Sequence, residues 1–154
     1  MYVPMVIALM FLFPLVAIVA QLMLTDHAAL TAAAALPIIA KWYVFWALGV
    51  RLSLAGLRQI FQPRYTAQQI LGLNSPDALF LVRELGFANV AMGIAGLGTL
   101  LAPAWLPPVE LIGALFFGIA GINHCLSKHR NKLENVALVS DLFAALVLAI
   151  CFVA

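Results

Sequence analysis

Arg51, Arg83, Glu84 and Asp141 stand out in this 154-residue chain because each is embedded in a long apolar run. An insertion scale charges roughly 2.5 to 3.5 kcal/mol for each such group at the centre of a membrane span, so four unpaired charges would cost on the order of 10 kcal/mol. Pairing or hydration is therefore required. The expected arrangement has Arg51 and Arg83 sharing the carboxylates of Glu84 and Asp141, with Asn89, Asn123, His124 and Asn135 adding hydrogen bonds. Three chemistries stay open for such a layer. It could be an ion-pair network that fixes helix register, a pocket for an anion or lipid headgroup, or a proton-handling site using Asp141, Glu84 and His124.

Other chemistries lack their residues. No nucleophile elbow, phosphate loop or dinucleotide fingerprint is present, and no His-x3-His or Cys-x2-Cys spacing offers a metal site. A lone His124 near a helix end reads as hydrogen-bonded to a carboxylate or carbonyl. Ser53 and Ser140 read as bonded to carbonyls of their own helices. Cys125 and Cys151 fall near opposite ends of their spans, so free thiols are expected. No cofactor is indicated by any residue pattern.

Composition dictates the scaffold that carries these polar residues. Hydrophobic residues make up 66% of the chain and charged ones 9%, which is too few to clothe a soluble domain. The same scarcity removes a basic stripe for nucleic acid. Breakers at Pro37, Pro63 to Pro76, Pro103 to Pro108 and Ser127 to Lys132 leave five apolar segments near 4–24, 37–59, 77–102, 109–126 and 134–153. The fold class is thus an all-α, polytopic membrane helix bundle of five transmembrane helices in a single domain, 1–154. Ser75, Pro108 and Asn131 mark three helix starts, with Asp77, Glu110 and Glu134 in the first turns, where the helix dipole favours an anion. The stretch from Pro63 to Gly72 reads either as a short interfacial helix or as an irregular loop.

Arg58, Arg64, Lys128, Arg130 and Lys132 fall on one face of this five-span arrangement and only Lys41 near the other. The positive-inside rule makes the first face cytoplasmic, with the N-terminus in and the C-terminus out. Trp42, Tyr43, Trp46 and Trp105 then gather at the outer interface. His27 belongs to an outer loop and His129 to the basic loop. The first segment has no basic residue before its apolar run and is long for a signal peptide, so it reads as a retained span.

At 1.5 Å per residue, Arg51 lies about 12 Å from Gln59, Arg83 about 10 Å from Pro76 and Asp141 about 10 Å from Glu134. The charges therefore share one depth in the inner leaflet. In the third segment, Arg83, Gly86, Asn89, Gly93 and Gly96 form one stripe and Glu84, Ala88, Ala91, Ala95 and Gly98 a second. Small residues at such spacing let backbones approach closely in lipid, so this helix should sit at the bundle centre. Its expected partner is the fourth segment, which carries Gly113, Gly118 and Gly121.

The run Arg83-Glu84-Leu85-Gly86-Phe87-Ala88-Asn89, followed by Gly93 and Gly96, resembles an uncharacterised family of small multi-pass bacterial inner-membrane proteins that is distantly DoxX-like. Trp42, Gly49, the Gly72 to Pro76 turn, Gly121-Ile122-Asn123-His124, Asn135 and Asp141 extend the likeness over roughly residues 42–145. Leu73 departs from it, since an aromatic residue is usual there. The resemblance implies a membrane protein of unknown activity, and DoxX-like relatives imply association with redox systems. It supplies no catalytic residue.

The leading expectation is a non-enzymatic component of the inner membrane. Its inner-leaflet polar pocket would bind a small anionic ligand or lipid headgroup, or dock a larger complex. The partners expected are the lipid bilayer and a membrane-protein partner or a second copy of the chain. A first segment interrupted only by Gln21 could face either. A small proton-coupled transporter or channel, and an intramembrane enzyme acting on a lipid-like substrate, are the alternatives.

Overall fold

A computed structural model describes residues 2–25, 31–128 and 130–154; His27 and His129 lie outside the described residues. Five helices are long and apolar enough to cross a membrane: α1 (Tyr2–Leu24), α2 (Ala33–Phe61), α3 (Pro76–Gly98), α4 (Pro103–Leu126) and α5 (Lys132–Val153). Among the described residues every regular element is helical. In hydrocarbon a helix satisfies its backbone groups internally, which is why such apolar runs fold this way. The protein is an all-α, multi-pass membrane helix bundle.

Local capping sets most of the boundaries. The Ser75 side chain accepts from the Asp77 amide at 3.2 Å, and Asn131 accepts from Leu133 and Glu134, each at 2.9 Å. Two starts differ from the sequence reading. α2 begins ahead of Pro37, because the Thr31 hydroxyl accepts from the Ala34 amide at 3.2 Å and carries the helix through the proline. α4 runs from a short 3-10 turn at Pro103–Trp105, placing Pro107 and Pro108 in its opening turn. Glu110 is consequently past the first turn, and it is buried. α3 stops at Gly98 instead of reaching 102, since Ala102 precedes Pro103 and leaves the helical region at φ −128°, ψ 83°.

Between α2 and α3 the chain forms the short helix, not the irregular loop. Residues Tyr65–Ile70 make π-type turns, and Gly72 at φ 67° closes them in the left-handed region that glycine adopts without strain. Ala67 packs on Ala78 and Val82 of α3. The Asn131 side-chain amide donates to the Gln69 and Ile70 carbonyls at 3.2 and 2.9 Å, tying this interfacial helix to the start of α5 as well.

The bundle is assembled from two tight antiparallel pairs, α2 with α3 and α4 with α5, while α3 and α4 touch only sparsely. This corrects the expected pairing of α3 with α4. The cause is where the glycines face each other. A Cβ at Gly56 would stand 2.6 Å from the Gly86 carbonyl oxygen, and one at Gly96 would stand 2.7 Å from the Gly49 amide nitrogen. On α4, Gly113 and Gly121 accommodate Leu148 and Leu142 of α5. α1 closes the other side, with Phe11 against Phe143 and Phe13 against Trp46 at ring separations of 4.8 and 4.9 Å. Gln21 is engaged inside the bundle, accepting from Trp42 Nε1 at 2.7 Å and Lys41 Nζ at 3.2 Å.

Two π-helical stretches, Ala8–Leu12 in α1 and Val44–Val50 in α2, meet in the core. Met10, Val44, Ala47 and Leu48 from these stretches are fully buried. Arg51 is the first α-helical residue after the second stretch. An extra residue per turn rotates the downstream part of the helix by roughly the 100° that one residue subtends. The wide turns therefore set the direction in which Arg51 leaves its helix.

Candidate functional site: a polar cavity at the basic end of the bundle

Arg51 is buried at 8% exposure in the half of the bundle nearest the basic loops. Its Nη2 donates to Asp141 Oδ1 at 2.8 Å and to Ser140 Oγ at 3.3 Å, while Nη1 donates to Met10 Sδ at 3.6 Å. The guanidinium also lies over the Phe117 ring, 5.3 Å from its centroid. Four helices thus hold one cation. A charge-assisted bond in so dry a setting is the strong kind, and it offsets the desolvation of both partners.

His124 extends the network toward the basic face. Its Nδ1 is 3.3 Å from Glu134 Oε1 and its Nε2 is 4.0 Å from Asp141 Oδ2, so one imidazole stands between two carboxylates from α5. Glu134 is buried at 8% exposure although it sits in the first turn of its helix. It serves the dipole and the histidine together. Arg130 caps α4 from outside, donating through Nη1 to the carbonyls of His124, Cys125 and Ser127 at 2.9, 2.9 and 2.8 Å.

A cavity of about 380 Å³ adjoins this network. Arg51, Asp141, His124, Asn89, Gln59 and Arg58 line its polar side, and Leu52, Leu54, Ala55, Leu85, Phe116, Phe117, Ala120 and Ala137 its apolar side. The volume suits a small organic molecule, and a mostly apolar wall with a few convergent polar groups is the usual character of a binding pocket. Arg58 stacks on Tyr65 at 3.5 Å and has no carboxylate partner among the described residues. Its Nε is buried without a hydrogen-bond acceptor. Asn89 donates to Gln59 Oε1 at 2.7 Å across the α2–α3 seam, leaving its own Oδ1 unpaired.

Of the residues singled out from sequence, the structure brings Arg51, Asp141 and His124 together. Asn89 and Asn123 line the cavity without touching the ion pair. Asn135 is exposed and accepts from Arg130 Nε at 3.1 Å, outside the layer. Arg83 and Glu84 are the clear correction: both are exposed and neither forms an ion pair among the described residues. The reason is helical phase. A stripe built on i+3 steps slips by about 60° at each step, so Arg83 lies well off the face of Gly86, Asn89, Gly93 and Gly96 that packs on α2. Glu84 falls opposite that face. Ser53 differs as well, since its hydroxyl faces Gly93 with no hydrogen-bond partner, whereas Ser140 does donate to the Ala137 carbonyl at 2.9 Å.

Four participants carry no distinguishing mark in the sequence. Arg58 reads as a charge of the basic face and Glu134 as a helix-cap anion, while nothing in the sequence singles out Gln59 or Tyr65. Glu110 is a fifth polar group away from this site, buried at 5% exposure toward the opposite end of α4, with Oε1 unpaired. Among the described residues no cluster of His, Cys, Asp and Glu is arranged to hold a metal ion, and both cysteines are free.

No curated protein and no solved structure matches the chain. A family profile does match, covering nearly its whole length. Residues 4–154 fit the family of unknown function DUF6790, and the chain belongs to that family.

Proposed function

We propose that this protein is a non-enzymatic component of a bacterial inner membrane that binds a small anionic ligand in the cavity beside Arg51 and Arg58. The observation that carries the reading is the charge of the cavity wall. Asp141 neutralises Arg51, and Arg58 adds a cation with an unpaired Nε. An anion that accepts from Arg58 would satisfy that donor and leave the wall neutral. The basic residues at this end of the bundle support a cytoplasmic orientation for it, with the N-terminus in and the C-terminus out. Docking to a larger membrane complex, redox systems included, is compatible with ligand binding and draws on the DoxX-like resemblance alone.

A proton-coupled route is favoured by one feature, the succession Glu134, His124, Asp141 leading in from the basic end. Buried Glu110 stands on the far side of the bundle. Between them Leu48, Val44, Phe117, Ala144 and Leu148 pack at 0–1% exposure, a dry plug that argues against a continuous path. Anion binding is therefore the better reading.

Thermal unfolding in neutral maltoside micelles tests it. Inorganic phosphate or a membrane-borne anion, at about a hundredfold its dissociation constant, should stabilise the protein by about 2.7 kcal/mol, a shift of several degrees. Arg58→Gln should lose most of that shift. Equal shifts in the two proteins, or none with either class of anion, would contradict the proposal.

A further inference from the structure

The interfacial helix and the flanks of the membrane-spanning helices form two different sides of the cavity. On its aqueous side lies the interfacial helix, which contributes Tyr65, Thr66, Ile70 and Leu71 to the wall. That helix is fastened twice, by Ala67 packed on Ala78 and Val82 and by the two hydrogen bonds from Asn131. It is further held by the stacking of Tyr65 on Arg58. A floor anchored at both ends is a poor entrance for a water-borne ion.

The lateral side differs. Leu54 of α2, Leu85 of α3 and Asn123 of α4 all line the cavity and are all exposed, Leu54 at 45% and Leu85 at 37%. Each lies within roughly 14 Å of the basic-face end of its helix. Leu85 and Asn123 flank the line along which α3 and α4 touch sparsely, while Leu54, about 160° around α2 from Gly56, is exposed on another side. A lateral opening there would face the bilayer.

We propose that the cavity takes a single-chain amphiphile with a monoanionic head, which enters sideways from the bilayer through the slot between α3 and α4. Arg51 and Arg58 against Asp141 leave one positive charge among the arginines and the carboxylate of the wall, hence a single negative charge on the head. The apolar wall of Leu52, Ala55, Phe116, Phe117 and Ala120 receives the first part of the chain, and the slot passes the rest out into lipid. A volume of about 380 Å³ is at the small end for ligand sites, which suits a head and a partial chain better than an enclosed phospholipid. This inference rests on the anion-binding reading and narrows it to a ligand dissolved in the membrane.

Five arms of one experiment test it, each read as the unfolding midpoint in neutral maltoside micelles. The probes are oleate, oleyl alcohol at the same mole fraction, and inorganic phosphate. Oleate should raise the midpoint of the wild-type protein by several degrees, while oleyl alcohol and phosphate leave it within a degree. Leu85→Trp, which fills the slot without altering charge, should weaken the oleate response at least tenfold in midpoint concentration, as should Arg58→Gln. Stabilisation by phosphate equal to that by oleate, or an undiminished oleate response in Leu85→Trp, would overturn lateral entry while leaving anion binding intact. Oleyl alcohol acting as well as oleate would overturn the anionic head. No response to oleate or phosphate would overturn both readings. A photoreactive fatty acid cross-linked in phosphatidylcholine nanodiscs keeps the test independent of variant stability: label on Leu85, Phe116 or Ala120 supports entry through the slot, and label confined to the outer ends of the helices contradicts it.

Discussion

Asp141→Leu should destabilise the bundle by about 3–5 kcal/mol, measured by reversible unfolding in detergent or by steric trapping in bicelles. The change leaves the Arg51 guanidinium buried with only Ser140 and Met10 as hydrogen-bond partners beside the Phe117 ring, none of which carries charge. Its Coulombic partner at 2.8 Å is gone while its desolvation remains. Arg51→Met combined with Asp141→Leu should recover much of the loss, because two apolar side chains of similar volume carry no unpaired charge into the core. Arg83→Gln and Glu84→Gln should not destabilise the bundle as Asp141→Leu does, because both are exposed and neither is held in an ion pair among the described residues. Equal losses from Glu84→Gln and Asp141→Leu would mean that the layer is built from a different set of residues.

Gly56→Ala should cost about 2–3 kcal/mol, the upper part of the usual range for overpacking. The added methyl carbon would meet the Gly86 carbonyl oxygen at 2.6 Å and the Val90 amide nitrogen at 2.8 Å, and backbone atoms cannot swing aside as a side-chain tip can. α2 and α3 must separate. Separation strains the bond from Asn89 to Gln59, which crosses the same seam, so ligand affinity should fall with stability. Gly118→Ala is the control, since its Cβ would find only Ala145 at an ordinary 3.7 Å and the helix gains up to about 1 kcal/mol in propensity. A comparable loss at both glycines would show that close approach of α2 and α3 is not what the glycine supplies.

The helices are legible in the sequence because hydrocarbon permits few alternatives: an apolar run bounded by Pro63, Pro76, Pro103 and Pro108 can span only as a helix. Arg51 and Asp141 are legible as a pair because their depths agree and their charges cancel. Arg83 has the matching depth and still lies elsewhere, since depth is a linear coordinate and the missing information is angular. Periodicity supplies that angle only for a regular helix. In α2 the π stretch Val44–Val50 resets the phase just ahead of Arg51, with no mark in the residue types that form it. Arg58 and Glu134 are hidden differently. Each has an ordinary role at a helix end, and only the fold brings Tyr65 beneath the first and His124 beside the second.

Helix pairing escapes the sequence for a related reason. Gly113, Gly118 and Gly121 on α4 look like a match for the glycines of α3, but small residues record only that something comes close. Leu148 and Leu142 of α5 fill the space beside Gly113 and Gly121, while Gly49 and Gly56 of α2 meet α3 backbone to backbone. The sparse contact left between α3 and α4 marks the side on which lateral entry to the cavity is proposed.

The most direct test of the polar layer is magic-angle-spinning NMR on the protein in lipid bilayers, with arginine labelled by ¹⁵N and aspartate by ¹³C. A strong dipolar transfer from the Arg51 guanidinium to the Asp141 carboxyl carbon, assigned by its loss in Asp141→Asn, is the expected result for a pair held at 2.8 Å. A spectrum without that transfer, in which Asp141 reports only water or lipid neighbours, would contradict the account at its base.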